Sequence, residues 1–374
     1  MRVLIAAGGT GGHVNPALAV AGEIKKQYPD AEICFVGTAD RIEAKIVPAA
    51  GYPLKTIEIS GFKRGFSPDD IKANVKTVVR LMKSSGAVKK IINEFNPDVA
   101  IGFGGYVSGP VIRMAAKMGI PTAIHEQNAY PGVTNKALSE KVDAVMLTAE
   151  EAKNHMKIKG EPIITGLPVR GELLEANGDV SRQELGFNEK PIILCMGGSL
   201  GSREINKAIV EVLCEHMYDE DYNYIISTGQ NGVWVPDKLR DRGVELDKKP
   251  NIQIRPYIDD MARCLSAADL VICRAGASSL SEIQALGKPS ILIPSPNVTE
   301  NHQYHNAMAL VNKNAAVIIE EKDLNGKKLS SAINNMLRDR KNLKSIGDNA
   351  KSMAVLDSTK RICDIVVGLA EKKN

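Results

Sequence analysis

Residues 2–13 read Arg2-Val3-Leu4-Ile5-Ala6-Ala7-Gly8-Gly9-Thr10-Gly11-Gly12-His13, and residues 191–202 repeat the plan as Pro191-Ile192-Ile193-Leu194-Cys195-Met196-Gly197-Gly198-Ser199-Leu200-Gly201-Ser202. Each stretch is a short apolar run of the kind buried in a parallel sheet, cut off by a glycine cluster that opens an amphipathic helix. A glycine-rich turn between strand and helix exposes backbone N–H groups at a helix N-terminus, where a phosphate is favoured. The plain alternative is a pair of tight turns with no ligand. The repeat begins about half a chain later, which predicts two doubly wound domains facing a cleft, each offering a phosphate cradle.

Neither cluster fits G-x-G-x-x-G, and Phe35-Val36-Gly37-Thr38 stands where a dinucleotide-binding unit wants a ribose-binding carboxylate. Neither carries the Gly-Lys-Ser/Thr of a nucleotide-hydrolysing P-loop. The alternation continues outward. Apolar, β-branched runs near 32–36, 55–59, 98–102, 121–125, 143–147 and 162–165 are followed in the second half by runs near 191–196, 223–227, 252–255, 270–273, 289–293 and 315–318. Helical stretches lie between most of them, such as 15–28 with Leu18, Ala21, Ile24 and Tyr28 on one face. Strands alternating with helices predict parallel sheets covered on both sides. Thr165–Arg170, with Gly166 and Pro168, is the natural break, giving a first domain of 1–166 and a second of 167–354. The tail is helical, and its last helix, about 355–374, is expected to cross back onto the first domain.

A chain of 374 residues suits two domains. Its net charge of +4 is too mild to suggest nucleic acid. The six cysteines show no C-x-x-C, and Cys34, Cys195 and Cys273 sit in apolar runs, which predicts reduced core thiols. No segment reaches the roughly 18 apolar residues of a membrane span. Asp219-Glu220-Asp221 resembles the D-x-D of metal-dependent transferases, but it precedes a strand and so falls at the wrong edge of the sheet. A solvated loop and no obligatory metal or cofactor are expected.

In such sheets ligands bind beyond the carboxyl ends of the strands. Arg274-Ala275-Gly276-Ala277-Ser278-Ser279-Leu280-Ser281-Glu282 follows one of them. Ser279-x-x-Glu282 reads plainly as a capping box. Functionally, the helix start receives a phosphate while Glu282 accepts from both hydroxyls of a ribose. Further on, His302, Gln303 and Asn306 fall on one helical face, and amides that donate and accept suit sugar hydroxyls. A solvated polar face is the alternative.

Gly8–His13, Gly102–Pro110, His125-Glu126-Gln127-Asn128, Gly197–Gly201 and Arg274–Glu282 occur in order at suitable spacing. With the amide-bearing helix they closely resemble the MurG family over essentially the whole chain. The resemblance implies the GT-B architecture. It also implies inverting transfer of GlcNAc from UDP-GlcNAc to the C4 hydroxyl of MurNAc in undecaprenyl-diphosphoryl-MurNAc-pentapeptide (lipid I), giving lipid II. It places the uracil near Arg170 and the backbone of Ile258, the ribose on Glu282 and the diphosphate at Ser199. Ala277, Ser278 and Ser279 add contacts at the helix start, and Ser278 stands where the family often has leucine. Gln303 and Asn306 would face the GlcNAc, and His302 stands where some members carry a second glutamine. The loops at 8–13 and 102–110 would hold the acceptor diphosphate, through Thr10, Gly11, Gly12, Gly104, Gly105, Tyr106 and Ser108.

A base must take the acceptor hydroxyl's proton. His13 is the first candidate, because imidazole titrates near neutrality. The alternatives are that His13 only braces its loop or binds the diphosphate, or that Glu126 is the base; Asn128 is expected to orient the acceptor. Other GT-B enzymes, a lipid galactosyltransferase or a UDP-GlcNAc 2-epimerase, and a non-catalytic UDP-sugar-binding protein are the competing readings. Between 62 and 90 lie eight basic residues against Asp69 and Asp70, interleaved with apolar ones. Such a segment can dock on an anionic membrane at about 1 kcal/mol per basic residue near the surface, or it is a core helix with a solvated face. A lipid-linked acceptor favours docking on the cytoplasmic face of the cell membrane. Expected partners are UDP-GlcNAc, lipid I, the anionic inner leaflet and other cell-wall synthesis proteins, with no nucleic acid.

Overall fold

The computed structural model describes residues 1–59, 84–217 and 221–372. Most of the basic stretch, Phe62 to Lys83, lies outside those residues, as do Asp219 and Glu220. The chain divides into two compact units, Met1–Pro168 with Val355–Asn374, and Val169–Ala354.

The first unit holds a seven-stranded parallel sheet. Its strands are β1 (Arg2–Ala6), β2 (Glu32–Gly37), β3 (Leu54–Thr56), β4 (Val99–Gly102), β5 (Thr122–Glu126), β6 (Ala144–Leu147) and β7 (Ile163–Ile164). They lie in the order β3-β2-β1-β4-β5-β6-β7. Val3, Leu4, Ile5 and Ala6 are fully buried because helices cover both faces. Each such isoleucine or leucine contributes about 1.5–3 kcal/mol relative to exposure. The helix Ser358–Glu371 lends Ile362, Cys363, Val366 and Val367 to the same core as Val3 and Ile5.

The second unit holds a six-stranded parallel sheet. Its strands are β8 (Ile192–Met196), β9 (Asn223–Ser227), β10 (Ile252–Arg255), β11 (Leu270–Cys273), β12 (Ser290–Leu292) and β13 (Val317–Ile318). Their order is β10-β9-β8-β11-β12-β13. Every apolar run read as a strand overlaps one of these strands.

Register explains the position of the sites. Ala6 pairs with both Val36 and Gly102, so the loops after β1, β2 and β4 leave at one level. Met196 pairs with Ser227 and Cys273, which aligns the loops after β8, β9 and β11. In each sheet the strand order reverses beside β1 or β8, and both glycine clusters sit at that switch point.

Two local expectations change. The first helix spans Gly11–Gln27, so Gly11 and Gly12 form its first turn, and Tyr28 is an exposed C-cap rather than a core residue. The helix after β11 spans Ala277–Leu286 with Gly276 at its N-cap and no side-chain cap. Ser279 therefore lies inside the helix, and the capping box is not formed. Cys34, Cys195 and Cys273 are free and buried, and burial pushes the Cys195 thiol up to about 12.

Candidate functional site

In the first unit three loops meet at the carboxyl edge. Thr10 is the N-cap of the first helix, but its hydroxyl lies 3.2 Å from His13 Nδ1 and makes no cap bond. His13 Nδ1 lies 3.0 Å from the Gly8 carbonyl oxygen. Gly105 has φ +77°, and a Cβ there would stand 2.4 Å from that oxygen, so only glycine permits this approach of the two loops. Next to it, a Cβ on Gly104 would lie 3.0 Å from the His13 ring. The sequence-predicted residues Thr10, Gly11, Gly12, His13, Gly104 and Gly105 are thus brought together, with Tyr106 exposed at the start of helix Gly105–Lys117.

Two residues take other roles. Ser108, expected at the acceptor diphosphate, is fully buried. Its hydroxyl accepts from the Gly104 N–H at 3.0 Å and faces the carbonyls of Ala6 at 2.9 Å and Gly104 at 2.7 Å, so it braces the loop from beneath. Glu126, the alternative base, is also buried. It accepts from the backbone N–H groups of Asn128 and Gly132 and from the side-chain amides of Asn128 and Asn135. Four donors hold that carboxylate as the tie of the 126–132 turn. His125 donates from Nε2 to the Gly166 carbonyl at 2.8 Å, and burial depresses its pKa to about 4.

In the second unit the helix Ala277–Leu286 points an uncapped N-terminus to the same edge as the glycine cluster after β8. Its first N–H groups lack intrahelical partners and suit an anion. Ser278 is exposed and Ser279 partly so. One turn in, Glu282 is paired with Arg170, whose Nη2 lies at 2.7 Å and Nε at 2.9 Å, both on Oε1. Burial pushes the Glu282 carboxyl up, and the guanidinium opposes it. The sequence did not reveal this pair, because the partners lie 112 positions apart.

Ser199 is exposed on the turn Gly198–Gly201. Gly201 has φ +80°, and a Cβ on it would fall 2.0 Å from the Thr228 carbonyl oxygen, which packs this turn on the loop after β9. Ser202 caps helix Arg203–Glu215. Ser202 also accepts from Arg274 Nη2 at 2.6 Å, while Nη1 reaches the Ile293 carbonyl at 3.1 Å and Glu321 closes an ion pair. Arg274 so ties three loops together, a role that its place in the motif did not disclose. Ile258 is buried, so only its backbone can address a ligand.

His302, Gln303 and Asn306 do share the helix His302–Val311, entered through left-handed Glu300 and Asn301. Asn306 is buried and donates to the Ala275 carbonyl at 3.1 Å, so it holds the turn before the helix Ala277–Leu286. Gln303 accepts from the Ser295 N–H at 2.9 Å through its Oε1. His302 bonds locally to the Thr299 carbonyl at 2.8 Å. Asp221 precedes β9, at the edge opposite these loops.

Residues 3–147 match the glycosyltransferase family 28 N-terminal domain, and residues 192–362 match its C-terminal domain. The chain is 45% identical to the UDP-N-acetylglucosamine–N-acetylmuramyl-(pentapeptide) pyrophosphoryl-undecaprenol N-acetylglucosamine transferase of Acetivibrio thermocellus, covering 100% of this chain and 99% of that one. It is 43% identical to the like-named transferase of Bacillus cytotoxicus, over 100% of both. Among solved structures, Acinetobacter baumannii MurG superposes with a TM-score of 0.78 at 29% identity, covering 98% of this chain and 99% of that one. The Neisseria meningitidis UDP-GlcNAc 2-epimerase shares the fold alone, at 14% identity and a TM-score of 0.63 over 98% of this chain and all of the other.

Proposed function

The chain belongs to glycosyltransferase family 28, and from that premise we propose how its residues divide the reaction. It transfers N-acetylglucosamine from UDP-N-acetylglucosamine to N-acetylmuramyl-(pentapeptide) pyrophosphoryl-undecaprenol, in peptidoglycan synthesis. The observation that carries this is full-length identity of 43–45% to relatives that share one donor and one acceptor.

The donor is assigned to residues 167–354. Arg170 clamps Oε1 of Glu282, so Oε2 turns to the ribose hydroxyls. The uncapped helix at Ala277 and the turn at Ser199 take the diphosphate. As the anomeric C–O bond breaks, UDP leaves with the electron pair, and N–H groups already aimed at the phosphates stabilise that charge without reorganising. Gln303 addresses the GlcNAc, and Asn306 positions the loop beneath it. Arg170 serves Glu282 as well as the uracil.

The acceptor is assigned to residues 1–166 with 355–374. His13 takes the proton of the attacking C4 hydroxyl, and Thr10, Gly11, Gly12, Gly104, Gly105 and Tyr106 face the acceptor diphosphate. A carbonyl oxygen only accepts, so the Gly8 oxygen beside Nδ1 makes Nδ1 the protonated nitrogen and Nε2 the base. Glu126, already bonded to four donors, is the poorer base.

The acceptor's polyprenyl chain keeps the reaction at the cytoplasmic face of the membrane. Among the described residues no helix is long and apolar enough to cross it. The basic segment 62–90 supplies the docking surface. Labelled UDP-GlcNAc and a short-chain acceptor should yield labelled disaccharide. A protein that binds UDP but gives no disaccharide is a binder only, and UDP-ManNAc formed without acceptor would identify an epimerase.

A further inference from the structure

Glu43 is a carboxylate that the reaction described above does not use. It opens the short helix Glu43–Ala49 and is wholly buried. Its Oε2 accepts from the Gly9 backbone N–H at 3.0 Å. Its Oε1 accepts from the Thr38 N–H at 3.0 Å and from the Thr38 hydroxyl at 2.8 Å. None of these donors is a cation. Two glycines make room for the side chain: a Cβ on Gly8 would lie 2.6 Å from Oε1, and one on Gly37 would lie 2.7 Å from Cγ. Burying a charge with no cation paired to it among the described residues is costly, and the three donors, which an apolar side chain would leave unsatisfied, offset that cost. The carboxylate is there for what it does to its donors.

One of those donors leads to His13. The Gly9 N–H and the Gly8 C=O are two ends of a single planar peptide group. The Gly8 oxygen is the one that lies 3.0 Å from His13 Nδ1. Carboxylate, peptide and imidazole therefore stand in one hydrogen-bonded series. An anion on the N–H end polarises the amide and makes its oxygen a stronger acceptor. Gly105, packed on that oxygen, keeps the peptide from turning.

We propose that Glu43 is a positioning residue that acts on His13 through the Gly8–Gly9 peptide, holding the imidazole in the tautomer whose Nε2 takes the acceptor hydroxyl's proton. The arrangement extends a carboxylate–histidine pair by one peptide group, and it rests on the reading of His13 as the base. In the reaction the hydroxyl proton moves to Nε2, the imidazolium keeps its Nδ1–H on Gly8, and Glu43 takes no proton from it. The proton leaves Nε2 to water after the disaccharide departs.

Glu43→Gln keeps the shape but replaces one accepting oxygen by an NH2 group, which donates and cannot accept. It should lower kcat by about 10–100-fold and leave the KM for UDP-GlcNAc within about twofold. In a His13→Gln background the same change should cost less than about twofold more, because the group it serves is gone. Losses that multiply across the two backgrounds would overturn the proposal. A negligible effect of His13→Gln alone would remove the base reading itself, which is a separate failure. If Glu43→Gln does not fold, the parent protein carries the test by nitrogen-15 NMR at alkaline pH. The His13 signals should show a protonated Nδ1 and a bare Nε2, and the Gly9 amide proton should shift when the imidazole is protonated. A protonated Nε2, or a Gly9 amide indifferent to that protonation, overturns it.

Discussion

The two glycine loops follow equivalent strands at equivalent switch points, yet they are braced by opposite charges. After β1 the brace is Glu43, a carboxylate wholly buried beneath Gly8 and Gly9. After β8 it is Arg274, a guanidinium that grips Ser202, the Ile293 carbonyl and Glu321. A cation beside the loop assigned to a leaving diphosphate adds to the positive field of the helix N-termini. An anion behind the loop that carries His13 favours the imidazolium formed when a proton is taken. One backbone device is thus supported by a carboxylate in one unit and a guanidinium in the other.

The largest effect should come from the base. His13→Ala is expected to lower kcat by about 10²–10⁴ while UDP-GlcNAc affinity stays near the parent value, since the residue belongs to the other unit. Steady-state kinetics with a soluble acceptor decide this; a loss below tenfold with an unchanged pH profile would return His13 to a bracing role.

A second contrast concerns acid. His125 in the first unit is held neutral, with its pKa depressed to about 4 against an unfolded value near 6.5. The unfolded chain then binds more protons between those values, so stability is whole above pH about 6.5 and declines as pH falls toward 4, by about 3 kcal/mol in all. Urea midpoints measured across that range should fall in the parent and fall less in His125→Phe. Equal slopes would assign the acid sensitivity to other groups.

In the second unit, if Glu282 holds the ribose as proposed, Glu282→Ala should cost charge-assisted bonds worth about 1.5–3 kcal/mol, or roughly 10–150-fold in donor affinity. UDP and UDP-GlcNAc should weaken together in calorimetry, because both carry the ribose. Unchanged UDP binding in a folded variant would leave Glu282 as no more than the partner of Arg170.

Arg274→Gln should be milder, at about 5–30-fold in UDP affinity, since it loosens the turn at Ser199 without deleting a ligand contact. Glu321→Gln should move the same quantity in the same direction. If the first weakens UDP and the second does not, Arg274 touches the donor itself and the idea of a brace fails.

The smallest effect is expected at the membrane. Reversing Lys72, Lys76 and Arg80 to glutamate should reduce co-sedimentation with anionic vesicles several-fold, most at low salt. Activity on a short-chain soluble acceptor should hold. Undiminished sedimentation would mean that the first unit docks through another surface.

Periodicity alone was enough for the two sheets. Apolar runs such as Val3–Ala7 and Leu270–Cys273 admit one arrangement, because a strand covered on both faces must be apolar throughout. Glycine chemistry was equally local: the turns at Gly8–Gly12 and Gly197–Gly201 announce themselves by residues that tolerate positive φ and close approach. His13, Glu282 and the amides of Gln303 and Asn306 stood out as candidates because they stand beside those turns or at helical spacing. Which partner each side chain takes was not legible. Glu43 meets Gly9 across 34 positions, Arg170 meets Glu282 across 112, and Ser108 reaches back 102 positions to Ala6. A hydrogen bond is fixed by distances of a few ångströms that only the folded register of the strands sets. Charge and hydroxyl content can be counted along a chain, but whether a buried carboxylate braces a loop or serves as a base depends on which donors the fold brings to it.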